Sequence, residues 1–215
     1  MSAVSAAVRL DVADGVATVT LDSPANRNAL SRALVSQLGQ ALSSAEVDDE
    51  ARVVVLTATG TTFCAGADMT EATAGGMEEG ARRLIALFRR VLALDKPVVA
   101  RIAGHVRAGG IGLVGACDAA IAAQDVSFAF TEVRLGLAPA MISLTTLPRM
   151  PQRGAALAYL GGERFDAAEA ARLGLVTSAV PGERLDDEVA AMTAALLRGR
   201  PQGLRETKRL LAAPM

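Results

Sequence analysis

The sequence predicts a layered α/β domain with a helical C-terminal part. Unbroken β-branched runs mark strands covered on both faces, and amphipathic helices separate them. Beyond Pro139 the pattern turns mostly helical. A chain of 215 residues suits one large domain, or one domain with a small appendage, and can bury about 70% of its unfolded surface.

Residues 8–12 and 17–21 alternate apolar and polar positions around Asp14-Gly15, a pair that favours a hairpin turn. After "SPANRNAL", Ser31 can cap a helix in which Leu34, Leu38, Ala41, Leu42 and Ala45 recur on one face. "RVVVLTA" reads as a buried strand because its apolar residues run together. The clearest helix follows: Leu84, Leu87, Phe88, Val91 and Leu92 share a face, Arg82, Arg83, Arg89 and Arg90 lie mostly elsewhere, and Glu78 and Glu79 sit where the dipole favours acid. "KPVVARIAG" is another buried strand, followed by a short apolar helix ending near Cys117. "AAIAA" and "VSFAF" resume strand character, and helices resume through "FDAAEAARLG" and residues 183–197, with a strand at 175–180. No period is strong enough to mark a solenoid from residues alone.

Charged residues make up 21% and the net charge is −1, so no basic field exists to hold nucleic acid. Two cysteines, Cys64 and Cys117, are too few for a disulfide framework and lack zinc-site spacing, which points to reduced thiols in a cytoplasmic protein. The N-terminal residues lack a charged region followed by an apolar one, and no stretch reaches ~18 uninterrupted apolar residues. The expectation is a chain with no membrane partner and no metal.

"RAGGIGLVGACD" holds a Gly-x-Gly-x-x-Gly pattern at Gly110, Gly112 and Gly115. A dinucleotide site needs the first glycine at the end of a strand, a helix of several turns, and a later acid for the ribose. Here the strand ends near Ile102 or Ala103 and only about two turns of helix fit before Asp118, so the stretch fits a nicotinamide site poorly. Pairing the stretch with "FCAGADM", residues 63–69, is more informative. Both are glycine-containing turns leading from strand into helix, so both can aim free backbone amides outward. Two such turns make an oxyanion hole for a thioester whose α-carbon gains carbanion character. Read singly, each is also compatible with a simple tight turn.

In order along the chain, "PANRNAL", "FCAGADM", "GHVRAGGIGLVGACDAAIAA", "FAFTEVRLGLAP" and "GERFDAAEAARLGLVTSAV" resemble the five successive motifs of the crotonase superfamily, the enoyl-CoA hydratases and isomerases. The resemblance covers nearly the whole length. It implies a crotonase-like ββα superhelix over residues 1–181, a helical C-terminal region at 182–215 that is shorter than in relatives, an acyl-CoA substrate, no separate cofactor, and a homotrimer or dimer of trimers. Carried over by position, the amides of Ala67 and Gly109 match the oxyanion hole and Glu132 the catalytic acid. Arg27 and Ala29 in the first loop, with Ala65, Asp68, Met69, Thr70 and Gly110, match the segments that contact CoA. Arg27 is equally compatible with a solvated loop arginine.

Glu132 stands amid Phe128, Phe130, Val133 and Leu135, surroundings that raise a carboxyl pKa toward values useful in proton transfer; Arg134 opposes this if it shares the face. On the resemblance, Glu132 activates water for addition to C3 of a trans-2-enoyl-CoA. A second glutamate, usual in the family's hydratases, is replaced by Gly112, which leaves open a one-glutamate isomerase or a non-catalytic CoA-binding paralogue. "APAMISLTT" replaces a glycine-rich run, so Met141 and Ile142 reshape the acyl pocket. Arg107 is read either as a partner for a carboxylate on the acyl chain or as a packing residue. Cys64 is expected to be a packed thiol, and the single histidine, His105, to be structural.

Overall fold

A computed structural model describes residues 6–71 and 77–212, with Met69 and Met77 described by backbone alone. The hairpin forms as expected: β1 (Val8–Ala13) pairs antiparallel with β2 (Val16–Leu21). Asp14 and Gly15 turn the chain with φ of 50° and 81°, the left-handed pair that a two-residue hairpin requires. Ser31 caps α1 (Arg32–Val47), its side chain accepting from Leu34 N, and Leu34, Leu38, Leu42 and Ala45 are buried.

From β3 onward the chain repeats one unit. A strand of a large sheet leads into a short strand of a second sheet and then into helix: β3 (Val53–Ala58), β4 (Thr62–Cys64), the short α2 (Met69–Glu71) and α3 (Met77–Ala93). The second unit is β5 (Val98–Ile102), β6 (His105–Arg107) and α4 (Gly109–Ala116). The third is β7 (Ala119–Ala123), β8 (Ser127–Ala129), a 3-10 turn over Thr131–Leu135 and α5 (Ala140–Thr146). This is the ββα superhelix. No residue period betrays it, because the units share geometry and not side chains. β4 and β6 are too short for a hydrophobic pattern to mark, whereas the buried strand expected at "KPVVARIAG" is β5.

The large sheet has the order β1-β2-β3-β5-β7-β10, parallel from β2 onward, with β10 at Ser178–Val180. The small sheet runs β4-β6-β8-β9, parallel except for β9 (Phe165–Asp166), a two-residue strand inside a segment expected to be helical. The core draws on both sheets and on the helices that cover them, and its largest sealed side chains include Phe63, Phe88, Phe128 and Phe130. β3 is buried over Val53–Leu56, which is why its sequence does not alternate.

The remaining helices are α6 (Gln152–Gly161), α7 (Ala167–Arg172), α8 (Leu185–Leu197) and α9 (Pro201–Ala212). Asp166 caps α7 by accepting from Glu169 N. α9 folds back onto the core through Lys208, which is 5% exposed. Its ammonium donates to Val91 O and Lys96 O and pairs with Asp118 at 2.8 Å. Asp118 also accepts from Val98 N at 2.7 Å, so one charge pair ties α9 to the start of β5.

Candidate active site

β4, β6 and β8 are parallel neighbours, with Cys64 opposite Val106 and Val106 opposite Phe128. Their C-terminal ends therefore lie side by side, and each releases one of the segments that carry expected site residues: 65–68, 108–110 and 130–132. Ligands of parallel sheets bind at such strand ends.

The first two turns touch. A Cβ built on Gly66 would lie 3.1 Å from Gly109 N and 2.8 Å from Ala108 Cβ, and one built on Gly109 would lie 3.5 Å from Ala67 N. A Cβ on Gly110 would strike Cys64 O at 2.7 Å and Cys64 Cβ at 2.8 Å. Gly66 has φ +95°, so both sterics and backbone require glycine there. Ala108, with φ 46° and ψ −121°, is the N-cap of α4 and is held by its own N–H to Ala129 O at 3.2 Å. Such a conformation costs of order 1–3 kcal/mol in a non-glycine residue. It aims Gly109 N out of the helix end. Among the described residues no acceptor takes the Ala67 or Gly109 N–H. Two unpartnered donors thus lie close together on turns separated by some forty residues.

The first loop closes against the same turn. Leu30 N donates to Gly66 O at 2.8 Å and Ala65 N to Arg27 O at 3.1 Å. Arg27 and Asn28 both take left-handed φ, 57° and 53°. The residue that fixes this is Asn28, absent from the sequence-based candidates: fully buried, its amide accepts from Ser23 N and donates to Thr59 O and Thr62 O. Its only sequence signal is an asparagine in a loop. Ala29 is buried and the Arg27 side chain exposed. Asp68 accepts from both Thr70 N (2.9 Å) and Thr70 Oγ1 (2.5 Å), and the hydroxyl bond is the main reason its carboxyl sits below the usual range. It caps α2, while Glu71 accepts from Arg32 N at 2.9 Å and so joins α2 to α1. Of Met69, only the backbone, at the start of α2, lies within the description. Between α1 and α3 opens a groove of about 440 Å³ lined by Arg32, Val35, Arg83, Leu87 and Arg90 among others.

Glu132 sits in the 3-10 turn three residues past the end of β8. It is half-buried, and burial raises its carboxyl above the ordinary glutamate range, opposed only by its own backbone amide. Its Oε2 is buried with no hydrogen-bond partner. Arg134 is turned away to Glu163, at 2.5 Å.

The glycine pattern divides in two. Gly109 and Gly110 bring the turns together; Gly112 and Gly115 instead serve packing within α4, which is buried throughout. A Cβ at Gly112 would lie 2.6 Å from Phe88 Cζ and 2.7 Å from Ile142 Cγ2, and one at Gly115 would lie 2.9 Å from Thr145 O. The space a side chain would need at position 112 is filled. Arg107 is folded back, donating to Val106 O, Ser127 O and Ser127 Oγ. His105 Nδ1 accepts from Ser127 N at 3.1 Å; both residues knit β6 to β8. Cys64 is sealed, its thiol pushed up to about 12 by burial. Among the described residues no three His, Cys, Asp or Glu side chains gather as a metal site would need, and no helix is long and apolar enough to cross a membrane.

Residues 11–215 match the family model described as enoyl-CoA hydratase/isomerase. The chain belongs to this family. Among solved structures of the enoyl-CoA hydratase/isomerase family, an enoyl-CoA hydratase from Mycobacterium avium superposes with a TM-score of 0.91 and 50% identity, covering 98% of this chain and 83% of that one. A relative from Thermus thermophilus, named provisionally as an enoyl-CoA hydratase, is 37% identical over 204 residues, 92% of this chain and 81% of its own. The hydroxycinnamoyl-CoA hydratase-lyase of Pseudomonas fluorescens is 31% identical over 210 residues, 94% of this chain and 76% of its own. Membership in the crotonase superfamily and its ββα fold agree with the motifs read from the sequence.

Proposed function

We propose that this protein is an acyl-CoA lyase that adds water across the C2=C3 bond of a trans-2-enoyl-CoA, giving a 3-hydroxyacyl-CoA, in fatty-acid or branched-chain acyl-CoA metabolism. The observation that carries the reading is the close approach of the turns that hold the free Ala67 and Gly109 amides, at the strand ends that also deliver Glu132. The thioester oxygen accepts from both amides, which become worth several kcal/mol as negative charge develops on it. The Glu132 carboxylate, made more basic by burial, takes a proton from the attacking water and returns one to C2. The segments at Arg27, Ala29, Ala65, Asp68, Met69, Thr70 and Gly110 form the CoA side of the site, and the groove beside α1 adds Arg32 for its phosphates, Arg83 and Arg90 being paired with Glu79 and Glu46.

A second reading, a 3-enoyl to 2-enoyl isomerase, is favoured by Gly112, since Phe88 and Ile142 leave no room there for another acid. One glutamate suffices to carry a proton between C2 and C4. Incubation with crotonyl-CoA separates the two: loss of the conjugated enoyl absorbance supports the lyase, and its appearance from a 3-enoyl-CoA supports the isomerase. Binding of thioesters without either reaction overturns both. We further propose that copies assemble as a homotrimer or dimer of trimers. Leu135, Leu137, Leu144, Leu147, Leu157 and Leu160, exposed by 44–78%, give the 3-10 turns and α5–α6 an apolar face that light scattering can test.

A further inference from the structure

Position 112 holds no acid, yet water addition asks for a second group on the water, so that its lone pair faces the substrate. The structure offers such a group on α6. The Tyr159 ring packs on Phe130 with centroids 4.3 Å apart, which sets it beside the Glu132 turn. The end of the same helix presses on that turn: a Cβ on Gly162 would meet Val133 Cγ1 at 2.7 Å and Phe130 O at 3.2 Å. Burial above all, and then the Glu132 charge, raise the phenol above its ordinary range.

Thr146 Oγ1 lies 2.8 Å from Ile142 O and 2.5 Å from Tyr159 Oη, and its one proton serves one of the two. With that proton on the carbonyl, which can only accept, the tyrosine donates to Thr146 and keeps its lone pairs for other neighbours. The Glu132 Oε2 that lacks a donor belongs to the turn that begins at Phe130, on which the Tyr159 ring packs. Both groups are acceptors, and a water molecule has two protons to give.

We propose that Tyr159 positions the reacting water together with Glu132, in place of a second carboxylate. The inference rests on the lyase reading. One water proton is donated to Tyr159 Oη and the other to the Glu132 carboxylate. The water oxygen forms its bond to C3 while the C2=C3 electrons move onto the thioester as an enolate. Its second proton passes to Glu132, which delivers it to C2, so that H and OH are added and the enzyme is restored. Arg134, two residues beyond Glu132, is bound to Glu163, and both are exposed.

The test is Tyr159→Phe, which keeps the ring packed on Phe130. Turnover of crotonyl-CoA is expected to fall about tenfold, the worth of one hydrogen bond to the reacting group, with KM unchanged. Unchanged kcat, or a rise in KM alone, overturns the proposal. Thr146→Val frees the phenol proton to point at the carboxylate, so the acid limb of the pH profile moves down; in the Thr146→Val/Tyr159→Phe double variant that movement is absent. The same cycle is read without turnover by 13C NMR of the Glu132 carboxyl. An identical titration in all four proteins overturns the role of Tyr159. Failure of the wild type on every enoyl thioester, with the NMR cycle intact, overturns the lyase reading while the Tyr159–Glu132 pairing stands.

Discussion

Gly110→Ala tests the geometry on which the site depends. The added methyl would sit 2.7 Å from Cys64 O and 2.8 Å from Cys64 Cβ, about 0.7 Å inside ordinary contact. Neither obstacle is a flexible side-chain end: both belong to a sealed residue at the end of β4. The start of α4 must back away from the first turn by roughly that distance, carrying Gly109 N with it. Overpacking of this kind costs about 1–3 kcal/mol of stability. A donor displaced by a large fraction of an ångström from its 2.7–3.1 Å position loses most of a contribution of about 2.7–4 kcal/mol, or 10²–10³ in kcat. The assay is steady-state turnover of crotonyl-CoA alongside thermal melting, with Gly203→Ala as the control. Gly203 lies in α9 with nothing within 4 Å of its Cβ position, so alanine there is expected to stabilise by about 0.5–1 kcal/mol. Wild-type turnover and melting in Gly110→Ala would refute the convergence of the two turns.

Glu132→Gln is expected to lose ~10²–10⁴ in kcat with thioester binding retained. Folding holds the Glu132 proton more tightly than the unfolded chain does, so stability is full below the ordinary glutamate value of 4.5 and declines as pH rises through the higher folded value. The glutamine variant therefore melts like the wild type at pH 4 and above it at pH 8, by roughly 2–4 °C per kcal/mol relieved; the opposite order would show that Glu132 gains a partner on ionising. Lys208→Ala removes the ammonium from Asp118 and two carbonyls. It should cost about 3 kcal/mol in urea unfolding, at the low end for a buried pair because Asp118 is 27% exposed. Arg209→Ala, which breaks an exposed pair with Asp95, should cost at most about 1 kcal/mol. Cys64 and Cys117, both buried and pushed up to about 12, should resist iodoacetamide at pH 8 until the chain is unfolded; fast labelling of the native protein would contradict their burial.

Local signals in the sequence sufficed for the hairpin, for the cap and apolar face of α1, and for the buried strands β3 and β5, because each is written within a dozen residues. The order of five motifs identified the family and named Ala67, Gly109 and Glu132. The same motifs could not separate the glycines of α4 by role. Gly110 meets Cys64 and Gly112 meets Phe88, contacts between residues 20–50 positions apart that leave no local mark. Asn28, Tyr159 and Lys208 were invisible for the same reason: their partners lie in other elements, and a lone Asn, Tyr or Lys is ordinary in a loop or helix.

What the residues determined by themselves was the set of elements and the chemical vocabulary of the site, since strand runs, helical faces and turn glycines follow from backbone sterics and hydrophobic spacing. Tertiary structure alone decided which amides meet, which acid is left buried without a donor, and which hydroxyl Tyr159 reaches. Those are properties of distance in space, and they come into being only when parallel strands from three successive repeats align their ends.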